Sequence, residues 1–186
     1  MILAAALIST SDILPSAGGN ESVDSHLAIA EPTPITRPDK KVREYSFIDG
    51  KFDGVKLVRS DDEWKRELSD EEFYILRQEG TEYPYSGALN SNKKKGTYHC
   101  AACGLAVFSS RTKYDSRTGW PSFYEPIHRQ NIIEKEDRSL GEVRTEIECA
   151  RCNSHLGHVF DDGPPVTGLR YCINAVSLRF KEANSK

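Results

Sequence analysis

Two stretches decide the fold: Tyr98-His99-Cys100-Ala101-Ala102-Cys103-Gly104 and Glu146-Ile147-Glu148-Cys149-Ala150-Arg151-Cys152. Each carries two cysteines with two residues between them, the spacing of a knuckle on a tight turn. Two such knuckles bring four thiolates, Cys100, Cys103, Cys149 and Cys152, around one tetrahedral Zn²⁺. Four sulfur ligands leave no open position, so the site is structural rather than catalytic, and the metal crosslinks two hairpins distant in sequence. The alternatives for these residues are two disulfides or reduced core thiols, and neighbouring cysteines in C-x-x-C are poorly placed for independent structural disulfides.

The chain has five cysteines, so Cys172 stands apart, in Arg170-Tyr171-Cys172-Ile173-Asn174, shortly after His155 and His158. A lone cysteine with histidines nearby is a candidate nucleophile. Taken alone it is as readily a small buried hydrophobe. The histidines are equally open to a role as packed, hydrogen-bonded side chains, and tetrahedral zinc already has its ligands without them. On a strand, Arg170 projects to the same face as Cys172. A neighbouring cation lowers a thiol pKa from its usual ~8.5. Trp120, between Gly119 and Pro121, reads either as core or as a pocket wall.

Around the knuckles the pattern is that of short strands. Tyr98 precedes the first knuckle, Ala106-Val107-Phe108 follows it, and Val143 to Ile147 alternates toward the second. Val159-Phe160 and Ile173 to Phe180 are further strand-like runs. Gly119-Trp120-Pro121 and Asp162-Gly163-Pro164-Pro165 separate them as turns. Ahead of them, Ser60-Asp61-Asp62-Glu63 and Ser69-Asp70-Glu71-Glu72 fit capping boxes. Trp64 and Leu68, then Phe73 and Leu76, supply apolar spacing for two short helices, with Gly80 as a stop. The expectation is a mainly β domain over residues 46–182, with small helices in front.

Residues 1–45 differ in composition and read as an N-terminal tail or a degenerate targeting segment. Ile2 to Ile8 is apolar, but the first basic residue is Arg37, so the charged start of an export signal is missing. Ala28-Ile29-Ala30 resembles a cleavage site far from that apolar run, and Pro32, Pro34 and Pro38 read as linker. Cysteine usage leaves cytoplasmic and exported compartments both open. The chain has 186 residues and a formal net charge of −3. That length suits one domain with a real core, and the charge gives no reason to expect nucleic acid. No apolar run approaches the ~20 residues that span a bilayer.

Several motifs together resemble the B-type methionine-R-sulfoxide reductases, and they stand in that family's order. They are Gly80-Thr81-Glu82-Tyr83-Pro84-Tyr85-Ser86-Gly87, Gly119-Trp120-Pro121-Ser122-Phe123, the second knuckle, His155-Leu156-Gly157-His158-Val159-Phe160, and Arg170-Tyr171-Cys172-Ile173-Asn174. The resemblance covers roughly Val58 to Phe180. It implies a pair of antiparallel sheets with small helices, one structural Zn²⁺ on the four knuckle cysteines, and Cys172 as nucleophile. It further implies that His155, His158 and Asn174 form the polar part of the active site, that Trp120 packs on the substrate's methyl group, and that Arg170 helps make the thiolate. The substrates would be oxidised proteins or peptides carrying methionine-R-sulfoxide. Reduction would leave a sulfenic acid on Cys172.

Many members carry a resolving cysteine just before G-W-P. Here the segment reads Asp115-Ser116-Arg117-Thr118-Gly119-Trp120-Pro121, with Thr118 at that position. The expectation is a one-cysteine type whose sulfenic acid is reduced by an external thiol: thioredoxin, glutaredoxin or glutathione. The rival reading is a non-enzymatic zinc-ribbon module that binds another macromolecule. It leaves Cys172, Trp120 and the histidine pair without a task.

Overall fold

Two capped helices open the part of the chain that the computed structural model describes, residues 46–184. The expectations for the tail and targeting segment, 1–45, lie outside the described residues. Helix α1 (Asp61–Glu67) starts at Ser60, whose hydroxyl accepts the Glu63 N–H while the Glu63 carboxylate accepts the Ser60 N–H at 2.7 Å. Helix α2 (Asp70–Arg77) repeats the device with Ser69 and Glu72. Both capping boxes satisfy N-terminal donors that no helical carbonyl can reach. Trp64, Leu68, Phe73 and Leu76 are buried, as the apolar spacing requires.

Gly80 takes part in the stop, but the left-handed position is not its own. Helix α2 ends at Arg77, Glu79 takes the left-handed conformation at φ 57°, and the Gly80 N–H donates to Tyr74 O at 3.1 Å. Gly80 also packs closely: a Cβ there would lie 2.4 Å from the ring of Tyr74.

Among the described residues nine strands follow: β1 (Gly96–Cys100), β2 (Ala106–Ser109), β3 (Lys113–Tyr114), β4 (Ser122–Phe123), β5 (Ile132–Asp137), β6 (Arg144–Cys149), β7 (His155–Phe160), β8 (Arg170–Ile173) and β9 (Leu178–Glu182). They make a three-stranded sheet in the order β2-β1-β9 and a six-stranded sheet in the order β3-β4-β8-β7-β6-β5. Every pairing within them is antiparallel. The expected pair of antiparallel sheets is therefore what forms.

The run from Ile173 to Phe180 is not one strand. Asn174 leaves the large sheet, Ala175–Ser177 makes a 3₁₀ turn, and β9 joins the small sheet. The break is set by a residue distant along the chain. The buried Glu82 carboxylate accepts the N–H groups of Ala175 (2.6 Å) and Val176 (3.0 Å), which would otherwise be free for a ladder. The Val159-Phe160 strand, in turn, extends back to His155, so both histidines lie on β7.

Aromatic rings lock the sheets together. Phe108 of β2 stacks on Phe123 of β4 with centroids 4.5 Å apart, and Tyr98 of β1 meets Phe123 edge-on at 5.0 Å. Such pairs contribute about 0.5–1.5 kcal/mol each beyond the area they bury. Ile147, Leu156, Tyr171, Ile173 and Leu178 complete the core between them.

Candidate active site and cysteine tetrad

The two knuckles are built alike. In the first, the Cys100 N–H donates to Leu105 O and the Cys100 carbonyl accepts from Gly104 N at 2.9 Å; in the second, the Cys149 N–H donates to Ser154 O and its carbonyl accepts from Asn153 N at 2.9 Å. Both turns need a left-handed residue at the same place, and Gly104 (φ 79°) and Asn153 (φ 54°) supply it. These are the residue types that tolerate that conformation. Arg151 of the second knuckle donates to Cys103 O of the first at 2.8 Å.

Their four sulfurs converge within 4.8 Å of one another, and all four residues are buried. The Cys100–Cys152 and Cys103–Cys149 Sγ separations are 3.7 and 3.5 Å. No disulfide joins them, and an S–S bond would need about 2.05 Å. Four ligands at about 2.3 Å in a tetrahedron stand roughly 3.8 Å apart, so the spacing suits a bound metal ion. The residues present can hold one.

Cys172 lies elsewhere, in a row of side chains that crosses the whole large sheet. Directly opposed pairs run Tyr114–Ser122, Ser122–Cys172, Cys172–His158, His158–Glu146 and Glu146–Lys135. Opposed residues of antiparallel strands share a face. One face of this sheet is thus polar along that row, while Phe123, Tyr171, Ile173 and Ile147 fill the other.

Above the row sits a cleft of about 150 Å³, walled by Thr81, Trp120, Arg144, Gly157, His158, Phe160, Cys172 and Asn174. That is well below the few hundred Å³ of a site for a drug-sized ligand, and it suits a single side chain. Trp120 is fixed by its indole N–H, which donates to Glu82 O at 3.2 Å. Asn174 accepts the Glu82 N–H at 3.1 Å and donates to Leu156 O. Glu82 therefore positions both, a link that no periodicity in the sequence reveals. Its own carboxyl is pushed above the usual range by burial, which outweighs the two backbone donors.

The histidines divide. His158 walls the cleft, and its Nε2–H donates to Asp137 Oδ2 at 2.8 Å, an oxygen that also accepts from Arg144 at 2.5 Å. Desolvation holds His158 below its ordinary imidazole range despite Asp137. Asp137 is held well below the usual carboxylate range by Ser139 first, then by His158 and Arg144. His155 is not a wall of the cleft. It is 2% exposed, and its Nδ1–H donates to Glu146 Oε1 at 2.7 Å. Its Nε2 is buried without a hydrogen-bond partner. The two rings meet at 5.4 Å between centroids.

Arg170 also lies outside the walls of the cleft. Its guanidinium grips Asp162 through two hydrogen bonds of 2.7 and 2.8 Å and lies 4.4 Å over the Phe160 ring. It does share the face of Cys172 and favours the thiolate. Burial nevertheless pushes the Cys172 thiol above its ordinary range, outweighing the opposing pull of Thr118, Arg170 and Ser122. Asp137, Arg144, Glu146 and Asp162 were not legible as site residues, because strand register places the first three and the loop between β7 and β8 places Asp162.

Comparison with known proteins agrees with this arrangement. A sequence model of the SelR domain matches residues 68–182. A peptide methionine sulfoxide reductase MsrB of Leptospira interrogans is 56% identical over 127 residues, which are 68% of this chain and 97% of that protein. A protein of the same name from Methanosarcina barkeri is 58% identical over 125 residues, 67% of this chain and 88% of its own length. A third, from Pseudomonas putida, is 54% identical over 126 residues, 68% of this chain and 95% of its own length. The matched span contains the tetrad, the polar row and every wall of the cleft, and by that match the chain belongs to the SelR domain family.

Proposed function

We propose that this chain reduces peptide-bound methionine-R-sulfoxide to methionine, using Cys172 as nucleophile. The observation that carries the reading is Cys172 in a single-side-chain cleft between Trp120, Phe160 and His158, within a family span that relatives named methionine sulfoxide reductases share. The Cys172 sulfur attacks the sulfoxide sulfur; the substrate S–O bond and the transient S–S bond then break as the oxygen becomes bonded to Cys172. The products are a thioether and a cysteine sulfenic acid, and the thiol proton ends on the transferred oxygen. Oxygen leaves the substrate only as it gains a proton, so a general acid is needed. His158, on the wall and oriented by Asp137, takes that role in its protonated form, passing to the oxygen the proton that Cys172 gives up; Asn174 supplies a polar contact, and His155 stands behind His158 on Glu146. Trp120 packs on the methyl group and selects the epimer. Arg170 acts on the sulfur's charge from behind the cleft rather than on the substrate.

The tetrad of Cys100, Cys103, Cys149 and Cys152 holds one Zn²⁺, which supplies cohesion and no reactive position. The chain contains no sixth cysteine. The sulfenic acid is therefore returned to thiol by an external dithiol or glutathione, with water released. Thioredoxin and glutaredoxin fit that requirement. A non-enzymatic zinc ribbon would leave the cleft unused.

The test is thiol-dependent turnover of a methionine sulfoxide peptide, with both sulfur epimers supplied separately. The R epimer alone should be reduced, and Cys172→Ser should abolish turnover while zinc content and fold persist. Turnover retained in that variant would refute the assignment of the nucleophile.

A further inference from the structure

Thr118 is a hydroxyl facing the sulfur, and it does not stand alone. Its Oγ1 lies 3.8 Å from Cys172 Sγ and 2.8 Å from Ser116 Oγ. Ser116 Oγ lies 2.7 Å from Ser122 Oγ, and Ser122 Oγ donates to the Trp120 carbonyl at 3.2 Å. The two hydroxyl–hydroxyl distances are those of short, well-formed O–H···O bonds. Ser122 is fully buried, and Ser116 and Thr118 are half-buried. The loop that carries them is pinned from outside: Tyr85 N donates to Gly119 O and the Tyr85 hydroxyl to Arg117 O, both at 2.7 Å. Asp115 caps the Arg117 N–H at 3.0 Å.

Each hydroxyl has one proton to give, and this fixes how the row can be ordered. With Cys172 as thiol, the S–H points to Thr118, Thr118 donates to Ser116, Ser116 to Ser122, and Ser122 to the Trp120 carbonyl. With Cys172 as thiolate, the three bonds between Cys172 and Ser122 reverse: Thr118 donates to sulfur, Ser116 to Thr118 and Ser122 to Ser116, and the Trp120 carbonyl gives up the Ser122 proton. Either order uses each proton once and leaves no hydroxyl idle. Bonded hydroxyls polarise one another in such a row.

We propose that Ser122, Ser116 and Thr118 form a reversible hydroxyl chain that donates to Cys172 when its sulfur is charged, making Ser116 and Ser122 positioning residues for the reacting thiol. The inference takes from the functional reading only that Cys172 is the thiol that reacts. Other charged and titratable groups also face this sulfur. They are Arg170 on its own strand with Asp162 behind it, His158 on β7 with Asp137, Arg144 on β6 and Tyr114 on β3. None of these is altered by changing the chain. The chain offsets part of the burial that disfavours the thiolate, which is where a donor beside the sulfur has most effect.

The experiment is alkylation of the intact, zinc-bearing protein by iodoacetamide from about pH 5 to about pH 10, read by mass spectrometry at the peptide containing Cys172, because only the thiolate reacts. No substrate is needed, so the result is independent of turnover; a failure of the functional reading would instead appear as activity surviving in Cys172→Ser. In Thr118→Val the midpoint should rise by about one pH unit, the size expected when a charged acceptor loses one donor. In Ser116→Ala, which touches no sulfur, it should rise by roughly half as much through the loss of the relayed bond. Thr118→Ser should titrate as the wild type. A wild-type midpoint in Thr118→Val would overturn the proposal. So would a shift in Thr118→Val with none in Ser116→Ala, because a single local contact would then suffice. Should Thr118→Val fold poorly, Ser116→Ala and Thr118→Ser carry the same test.

Discussion

At the scale of the residue, His158 shows how burial and a carboxylate compete. Desolvation keeps its proton affinity low, while Asp137 holds the ring in one orientation at 2.8 Å. The folded protein therefore takes up this proton at a lower pH than the unfolded chain, whose histidine titrates near ~6.5. Below that value the unfolded state binds more protons, so the stability due to His158 is fully present above pH ~6.5 and declines as the pH falls. Thermal unfolding followed from pH ~8 to ~5 should show a steeper loss of Tm for the wild type than for His158→Gln, which keeps a donor for Asp137. Parallel curves would remove His158 as the cause. Two neighbours show what residue types alone leave out. His155 was expected at the cleft, and the structure gives it to Glu146 behind the wall. Arg170 stands beside Cys172 as expected, but its partner Asp162 is supplied by a loop.

At the scale of the element, the site depends on how closely β7 and β8 approach. Gly157 opposes Ile173, and a Cβ on it would lie 2.1 Å from the Cys172 carbonyl oxygen and 2.9 Å from the Ile173 Cα. Backbone cannot yield there as a flexible side chain would. Gly157→Ala should cost about 1–3 kcal/mol in chemical denaturation, as overpacking does. It should also depress turnover, since the strand that moves is the one carrying Cys172. A variant with wild-type stability and rate would show that the strands separate freely. Helix starts and stops illustrate the contrast in legibility. Ser60 and Ser69 were legible as caps because a capping box is a local device four residues long. The end of α2 was legible only in part, because Tyr74 packing against Gly80 and the left-handed Glu79 are set by what surrounds them.

At the scale of the molecule, the tetrad links the two sheets. Cys100 ends β1 of the small sheet, Cys149 ends β6 of the large one, and Cys103 and Cys152 complete the two turns. Binding of structural zinc is coupled to folding, with apparent values of about 10–16 kcal/mol in small zinc domains. Replacing any of the four by Ser should therefore lower metal content and Tm together, and a strong chelator should destabilise the wild type without touching Cys172. Elemental analysis beside circular dichroism melting checks this. Folded, reduced protein with no metal would defeat it. No helix among the described residues is long and apolar enough to cross a membrane.

The sequence by itself determined the β character, the capped helices, the cysteine tetrad and the identity of the separate thiol. Each of these is written in short-range spacing: two residues between cysteines, two between cap and carboxylate, alternation along a strand. Only the tertiary structure decided which groups face Cys172. The row from Tyr114 to Lys135 crosses six strands, and the break after Ile173 depends on a carboxylate from Glu82, far away along the chain. Register between strands and the satisfaction of buried polar groups are long-range conditions. Spacing along a single chain does not contain them.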